Sequence, residues 1–412
     1  MATTKALCVT AQAPVNIAVI KYWGKTDEKL ILPLNSSLST TLSMTDLCTT
    51  TTVMASKEFK EDRLWLNGKE ESVSSGRMQN CIGQLVARSG LLKRLGENVE
   101  EGKAREYHFH IVSVNNFPTA AGLASSASGF ACLTYTLGTL LEVEGDLSAI
   151  ARLGSGSIYG GFVKWVKGEK ADGTDSIAVQ VAPETHWPEL QILVCVVSAK
   201  HKETPSTSGM QTSTETSPFL AYRAAHIVEE RMKQMEDAIH KRDFQLYGEL
   251  TMRDSNSFHS TCLDTYPPIF YLNDTSKTII NLITYVNKHY GKIKIAYTFD
   301  AGPNAVLYAL KEDTPLLLHL ITRYFPPSSD LAHFVEGSGP KECGVESIES
   351  LGAQLKAKDA SVEALLQELD AKFTPQPASI QRVIHTTVDK GPHVVTDDAL
   401  CLIDTATGLP KA

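Results

Sequence analysis

The sequence predicts an α+β protein with two lobes. Its 412 residues exceed the roughly 250–300 at which a single hydrophobic core stops growing, and 42% of them are hydrophobic. Alternating β-forming runs at 35–42 and 49–53 predict antiparallel strands in the first half of the chain. A helix with apolar residues spaced three and four apart, over 228–239, opens the second half. We therefore place two domains at 1–197 and 198–412.

Composition narrows the classes of partner. The formal charge of −8 argues against nucleic acid or an anionic membrane as the main partner, because both attract clustered Lys and Arg. The eight cysteines are scattered without a C-x-x-C pair, which indicates reduced thiols and no zinc site. The first residues lack a long apolar stretch, and no run approaches the roughly 20 apolar residues of a membrane span. These features predict a cytoplasmic protein without a membrane span.

The first half alternates β-forming runs with short helical segments. Asn67-Gly68 has the residues of a two-residue hairpin turn. The predicted elements, in order, are strands at 6–10, 15–22, 35–42 and 49–53, a hairpin at 65–69, a helix from Arg77, a strand at 107–114, a helix ending near 141 and a short helix at 149–153. The next run, 190–197, is apolar throughout most of its length and predicts a strand that is buried on both faces.

The second half is mainly helical, with one strand that carries a carboxylate at its end. The predicted elements, in order, are helices at 228–239, 243–252 and 278–289, a strand at 294–299, a surface excursion at 326–377 and a last strand at 380–387. Asp300 follows the strand at 294–299 and precedes Gly302-Pro303. A carboxylate in this position is often only a turn residue, so the pattern alone leaves its role open.

A loop of small residues at 117–131 lies between a predicted strand and a predicted helix. A ligand could approach its main chain closely, and the start of the helix would direct free N–H groups and a positive dipole end toward phosphate. Ser125, Ser126 and Ser128 add hydroxyls that could contact phosphate oxygens or a magnesium ion. A helix start packed tightly against a sheet explains the same composition equally well.

The order of residues favours phosphate binding. Pro118–Ala127 matches the P-x-x-x-G-L-x-S-S-A loop of the GHMP kinase superfamily, and no Lys-Ser/Thr pair follows its glycine, which excludes a Walker loop. Three segments together resemble the diphosphomevalonate decarboxylases of that superfamily: APVNIAVIKYWGK at 13–25, SVNNFPTAAGLASS at 113–126 and AYTFDAGPNA at 296–305. The resemblance extends from about residue 8 to about residue 310.

This resemblance implies a two-lobed GHMP-kinase fold with mixed and antiparallel sheets and a site in the cleft. It implies ATP-dependent decarboxylation of 5-diphosphomevalonate to isopentenyl diphosphate in the mevalonate pathway, with Mg²⁺, in a homodimer. The implied catalytic residues are Asp300, Lys25 and Ser206. The implied substrate-binding residues are Asn16, Tyr22, Trp23, Gly24, Lys25, Arg77, Ser155, Gly156, Ser157 and Thr207. The implied ATP-binding residues are Pro118, Ala121, Gly122, Leu123, Ala124, Ser125, Ser126 and Ser128.

One departure from the family pattern concerns the substrate-binding residues. The family has Ala-Cys/Ser-Arg-Ser after Gly-Ser-Gly-Ser, whereas Ser157 here is followed directly by Ile158-Tyr159. The missing arginine serves the substrate carboxylate and diphosphate in the family, and a bidentate guanidinium is difficult to replace. Two alternatives therefore stay open: a weak or inactive variant of the same scaffold, and another GHMP small-molecule kinase.

The loop glycine provides a first test. Gly122→Val should weaken ATP binding more than diphosphomevalonate binding, because a β-branched side chain would occupy the space in which phosphates meet the backbone. Calorimetric titration of each ligand separately measures both dissociation constants. An unchanged constant for the nucleotide would show that the loop is only structural.

Overall fold

The computed structural model describes residues 7–100, 105–117, 125–154, 158–197, 203–328, 333–337, 339–345, 347 and 350–411. Its strands are β1 Leu7–Pro14, β2 Asn16–Ile20, β3 Lys25–Asp27, β4 Leu32–Pro33, β5 Ser37–Thr41, β6 Cys48–Ser56, β7 Arg63–Leu66, β8 Lys69–Glu71, β9 His108–Asn115, β10 Phe162–Trp165, β11 Ala178–Ala182, β12 Leu190–Val196, β13 Ile295–Phe299, β14 Ala305–Leu310, β15 Val335–Glu336, β16 Arg382–Thr387, β17 His393–Val394, β18 Ile403–Asp404 and β19 Leu409–Pro410. Its helices are α1 Gly76–Ala87, α2 Gly90–Arg94, α3 Ser125–Leu140, α4 Ser148–Ala151, α5 Ser206–Thr216, α6 Pro218–His226, α7 Val228–Lys241, α8 Phe244–Asp264, α9 Asp274–Tyr290, α10 Thr314–Tyr324, α11 Gly339–Glu342, α12 Leu351–Lys358 and α13 Ser361–Asp370.

The first sheet has the strand order β17-β1-β6-β9-β7-β8. β1, β6 and β9 run antiparallel, whereas β7 runs parallel to β9. The predicted hairpin joins β7 to β8, and Asn67 and Gly68 have φ values of 48° and 80°. Two successive positive φ values are those of a type I′ turn, which suits the twist of a hairpin. Apolar side chains of α1 and α3 cover one face of this sheet.

Two further sheets complete the α+β architecture. One is antiparallel, in the order β11-β10-β5-β2, and the other has the order β13-β14-β12-β16-β15. β12 is buried along its whole length because its side chains alternate between two cores. Leu193 and Cys195 pack toward α9, α10 and α13, whereas Ile192 and Val194 pack toward α7 and α8. The predicted α+β class with mixed and antiparallel sheets is confirmed.

The sheet pairings bear on the domain division. β12, which we assigned to the end of 1–197, is hydrogen-bonded to β14 and β16 of the second lobe. The chain also returns to the first lobe, where β17 pairs with β1. The division into 1–197 and 198–412 stays a prediction, and these pairings favour a boundary before β12.

Three predicted elements differ from those observed. The helix predicted at 243–252 continues to Asp264, because the polar Asp254 and Ser255 are buried in it with hydrogen-bond partners. The segment 326–377 is not only a surface excursion: Val362, Leu365 and Leu369 of α13 lie in the core. The strand at 380–387 is β16, and three short strands follow it.

The apolar spacing of α7 is explained by packing. Val228, Met232, Met235 and Ile239 are all buried in the core between α7, α8 and the second sheet. The two methionines therefore serve core packing, as their spacing predicts.

α8 carries a buried carboxylate that connects three helices. Asp254 is fully buried and accepts hydrogen bonds from Arg223 of α6, at 2.7 and 2.8 Å, and from Arg231 of α7, at 2.9 Å. Arg223 is itself 2% exposed. These ion pairs hold α6 and α7 against α8. Removal of Asp254 or Arg223 alone would leave a buried charge without its partner, which is unfavourable.

This network predicts an asymmetry in stability. Asp254→Ala should lower the free energy of unfolding by about 3–5 kcal/mol, because it leaves the Arg223 guanidinium buried and unpaired. Glu249→Ala, in the same helix, should cost about 0–0.5 kcal/mol, because the Glu249–Arg253 pair is exposed. Urea titration followed by circular dichroism measures both variants. Equal losses would show that the buried pair has no special role.

Candidate active site

Two strand ends from different sheets bring Lys21 and Asp300 together. β2 ends at Ile20 and β13 ends at Phe299, so each charged residue directly follows its strand. Nζ of Lys21 forms an ion pair with Oδ1 of Asp300, and the two side chains are 4% and 23% exposed. The ammonium is thus enclosed, while the carboxylate keeps an open side that a ligand can reach.

Lys21 is a candidate site residue that the sequence analysis did not name. Lys25, which we predicted to be catalytic, has a fully buried side chain whose Nζ lies 2.9 Å from Oε2 of the half-exposed Glu28, and its catalytic role stays a prediction. Lys21 and Lys25 are four residues apart in the same motif, and nothing in their spacing distinguishes them. The one local difference is that Lys21 directly follows the strand β2, whereas Lys25 begins the short strand β3.

Helix α8 fixes both strand ends. Oδ2 of Asp254 accepts a hydrogen bond of 2.7 Å from the backbone N–H of Lys21. Oγ of Ser255 accepts one of 3.1 Å from the backbone N–H of Phe299. Asn35 donates to the carbonyl of Lys21 at 3.1 Å. The ion pair is therefore positioned by backbone contacts to one rigid helix, and not only by its own attraction.

His259 lies one turn further along α8. It is buried, and its ring packs against Phe258, with centroids 4.6 Å apart, and against Phe299, with centroids 6.3 Å apart. Its Nε2 has no hydrogen-bond partner. Burial, together with the positive charge of Lys21, lowers the pKa of His259 to about 3. The imidazole is therefore neutral at physiological pH.

The segment after Lys21 packs into the interior. The Tyr22 ring meets Trp165 edge-on at 4.7 Å. Trp23 is buried, and its Nε1 donates to Ser213 at 2.9 Å. Gly24 has φ 84°, and a Cβ on it would lie 2.8 Å from the hydroxyl oxygen of Thr214. This packing favours a structural role for the Trp23 side chain, while its role at the substrate stays a prediction.

Asn16 begins β2 and faces the neighbouring strand. Its Nδ2 donates to Oγ1 of Thr41 at 3.0 Å and lies 3.4 Å from Oγ of Ser39. Thr41 in turn donates to the carbonyl of Tyr159 at 3.4 Å. Asn16 is thus linked to the backbone that follows residues 155–157, which the resemblance assigns to the substrate.

Arg77 and Thr207 come together although 130 residues separate them. Nη2 of Arg77 lies 3.3 Å from Oγ1 of Thr207. Ser206 and Thr207 open α5, whose first turn carries no acidic side chain and whose preceding residue, Pro205, makes no side-chain cap. The N-terminus of a helix beside a guanidinium suits an anionic oxygen, because the helix dipole and the guanidinium both place positive charge there. The structure thereby joins two of the predicted substrate contacts.

Only the end of the predicted nucleotide loop lies among the described residues. Pro118, Ala121, Gly122, Leu123 and Ala124 lie outside them, and of Ser125 only the backbone, at the start of α3, is described. Ser126 is exposed. Oγ of Ser128 is buried and lies 2.8 Å from Oγ1 of Thr49, which favours packing on the sheet for this hydroxyl.

The chain around Ser157, where the sequence departs from the family pattern, is also only partly described. Ser155, Gly156 and Ser157 lie outside the described residues. Beyond them, Gly160 meets the C-terminal segment so closely that a Cβ would lie 2.2 Å from the backbone nitrogen of Gly391. This contact fixes the start of β10 against the returning chain.

Arg152 is the nearest arginine to the departure. Its side chain is buried, and Nη1 donates to the carbonyl of Gly173 at 2.7 Å. Burial lowers the pKa of this guanidinium, while the charges of Asp175, Asp172 and Asp27 oppose that shift. The side chain is thus engaged with the loop before β11.

The described residues carry neither a membrane-spanning helix nor a cluster of metal ligands. None of the helices there combines the length and apolarity needed to cross a lipid bilayer. Within the same part of the chain, His, Cys, Asp and Glu side chains nowhere gather in groups of three that could ligate a metal ion. All eight cysteines are free thiols.

Comparisons with known proteins agree with this geometry. Residues 13–178 match the family description "Diphosphomevalonate decarboxylase-like N-terminal domain", and residues 192–395 match "Mevalonate 5-diphosphate decarboxylase C-terminal domain". The diphosphomevalonate decarboxylase of Rattus norvegicus is 51% identical over 409 residues, 98% of this chain and 97% of the relative.

Solved structures give the same result. The mevalonate diphosphate decarboxylase of Trypanosoma brucei is 35% identical with a TM-score of 0.81, covering 96% of this chain and 100% of that one. A complex described as MDDEF with MVAPP, AMPPCP and magnesium is 28% identical with a TM-score of 0.66, covering 95% and 99%. The sequence identity, the two domain matches and the shared fold establish that this chain belongs to the diphosphomevalonate decarboxylase family of the GHMP kinase superfamily.

Proposed function

We propose that this protein catalyses the ATP-dependent decarboxylation of 5-diphosphomevalonate to isopentenyl diphosphate, with ADP, phosphate and carbon dioxide as the other products. The observation that carries the proposal is the Lys21–Asp300 pair, in which an enclosed ammonium holds a carboxylate that remains partly open. The related protein bound to MVAPP, AMPPCP and magnesium supports the same pair of substrates. We infer further that the reaction takes place in the cytoplasm and that the protein forms a homodimer.

The substrate diphosphate requires a positive site in a protein of net charge −8. Arg77 and the N-terminus of α5 at Ser206 and Thr207 provide one, because the guanidinium lies beside the positive end of the helix dipole. Lys25 adds a compact positive charge at the end of a buried side chain. These groups would fix the diphosphate end and leave the tertiary hydroxyl to reach Asp300.

The nucleotide would bind at the start of α3, a 16-residue helix beginning at Ser125. Its N-terminal N–H groups and dipole suit the phosphates of ATP. Bound Mg²⁺ would neutralise phosphate charge. Mg²⁺ prefers oxygen ligands, so the phosphate oxygens of ATP would supply several of them.

Asp300 and Lys21 would divide the chemistry. Asp300 accepts the proton of the 3-hydroxyl, or orients that hydroxyl, while the hydroxyl oxygen takes the γ-phosphoryl group of ATP. Lys21 holds the carboxylate in place through the ion pair. Loss of phosphate then leaves positive charge on carbon, which the carboxylate stabilises while carbon dioxide departs.

Asp300→Asn tests this assignment. The change preserves shape, so diphosphomevalonate should still bind, while turnover should fall by roughly 10²-fold or more, the scale of a lost base or charge stabiliser. Release of ADP and isopentenyl diphosphate measures turnover. Asp313→Asn is a matched control, because Asp313 forms a similar enclosed ion pair with Lys294 in the second lobe. Turnover within a few-fold of the parent would refute the role of Asp300.

The absent arginine favours a second candidate function, a weakly active or inactive binding variant of the scaffold. Arg152 is engaged with Gly173, which argues against its replacing the missing guanidinium. A neighbouring GHMP kinase activity has no such support, since both domain matches are to decarboxylases. Product analysis separates these possibilities.

Restoring the family residues gives the corresponding test. Insertion of Ala-Cys-Arg-Ser between Ser157 and Ile158 should raise the single-turnover rate by about tenfold or more and leave ATP affinity unchanged, because a charge-assisted bond to the carboxylate is regained. An insertion with Ala in place of the arginine is the control. Equal rates with and without the insertion would show that another residue performs the role. Recovery by the alanine control would assign the defect to backbone geometry.

A further inference from the structure

The side chain of Trp23, which the family resemblance assigns to the substrate, is enclosed by protein. Only 4% of the residue is exposed. Its ring meets Phe258 edge-on, with centroids 4.9 Å apart, and Tyr271, with centroids 5.9 Å apart. Its single polar atom, Nε1, donates to Oγ of Ser213 at 2.9 Å. The side chain thus offers a ligand neither an open surface nor a spare donor, and its effect on a substrate must be indirect.

Ser213 of α5 passes this contact on to α8. Oγ of Ser213 lies 2.7 Å from Oγ1 of Thr265, and Thr265 donates to the carbonyl of Thr261 at 2.7 Å. Since each hydroxyl has one proton, Ser213 accepts from the indole and donates to Thr265. All of these residues are buried. A buried chain in which every donor has an acceptor has one arrangement, and breaking it leaves a polar group unsatisfied.

Helix α5 approaches the indole closely one turn before Ser213. A Cβ on Gly209 would lie 2.8 Å from the hydroxyl oxygen of Tyr271 and 3.3 Å from Cζ2 of Trp23. The same Tyr271 hydroxyl donates to the carbonyl of Thr204, just before the helix, at 3.2 Å. The first turns of α5 are therefore held against the two aromatic rings by both packing and hydrogen bonds.

These contacts connect the two ends of the proposed substrate site. The start of α5, where Thr207 lies beside Arg77, is the end at which the diphosphate would bind. Trp23 follows Lys21 by two residues, so the backbone that carries the indole also carries the lysine of the Lys21–Asp300 ion pair. The indole thus holds the diphosphate end in a fixed relation to the reacting end.

We propose that Trp23 is a positioning residue for the proposed reaction, on which this inference rests: through Ser213 its indole N–H fixes the start of α5 relative to the Lys21–Asp300 pair, and the side chain does not touch the substrate. A diphosphate bound at the helix start then delivers the 3-hydroxyl to Asp300 in one geometry. The nucleotide, bound at α3, does not depend on this contact.

The first experiment removes the indole N–H. Trp23→Phe keeps an aromatic ring in the cluster, and the Kd for diphosphomevalonate should rise by about tenfold while the Kd for ATP changes less than about twofold, since one buried hydrogen bond is lost at one end of the site. Calorimetric titration measures both constants. Trp187→Phe is the matched control, because Trp187 is equally buried but packs in the core beside α7 and α8. It should leave both constants unchanged.

A double-mutant cycle separates an indirect effect from direct contact. Ser213→Ala removes the acceptor of the indole N–H and the contact to Thr265. If Trp23 acts through Ser213, the double variant should bind diphosphomevalonate no more weakly than the weaker single variant. If the indole touched the substrate itself, the two losses would multiply.

Hydrogen exchange of the free protein tests the positioning without a substrate. The amides of α5 should exchange faster in Trp23→Phe and in Ser213→Ala than in the parent, while those of α9 keep their rates. Trp187→Phe should leave exchange in α5 unchanged. Faster exchange confined to α5 supports the inference even if the parent forms no isopentenyl diphosphate, a result that would refute the proposed function alone.

Three results would overturn the inference. One is multiplied losses in the double variant, which would make Trp23 a binding residue. Another is an equal weakening of ATP and diphosphomevalonate binding with a lowered Tm, which indicates a general packing role. The third is exchange in α5 that does not change when the indole N–H is removed.

Discussion

The buried carboxylate of Asp254 is the contact on which the centre of this molecule depends. It accepts hydrogen bonds from the Lys21 backbone, Arg223 and Arg231, and so joins β2, α6 and α7 to α8. Each of these elements contributes to a different part of the fold. A single fully buried anion is thus paired with two cations, and its remaining oxygen capacity fixes a strand end instead of being left unsatisfied.

The positions of the charged groups at the site depend on this contact. Asp254 holds the Lys21 backbone, and Asp300 forms an ion pair with the Lys21 ammonium. The same lysine therefore meets one carboxylate through its backbone and another through its side chain. Because α8 holds both ends of the pair, small movements of either lobe would move Lys21 and Asp300 together. Preorganised charge of this kind needs little rearrangement during reaction.

Sequence patterns predicted the elements whose signals are local. The strands at 6–10 and 49–53, the hairpin at Asn67-Gly68 and the methionine spacing of α7 each depend on neighbours within a few residues. The second half of α8 could not be predicted in this way. Asp254 and Ser255 are typical of caps and turns, and they are stable inside a helix only because their partners lie far away in the sequence.

The same distinction separates the site residues. Asp300 was predicted from its position after a strand within a recognised motif, and the structure places it beside a lysine. Which lysine it meets depends on how β2 and β13 are oriented by α8, and no local pattern reports that orientation. The contact of Arg77 with Thr207 is of the same kind, since two distant segments must fold before it exists.

The return of the chain to the first sheet has a consequence for synthesis. β17 pairs with β1, Leu402 donates its N–H to Thr52, and Gly160 packs against Gly391. The first lobe therefore cannot complete its sheet edge until residues 391–402 have left the ribosome, although most of it is made early. Contacts of such long sequence separation form late and slowly. During translation, the outer edge of β1 would be the part of the nascent protein most in need of protection from other chains.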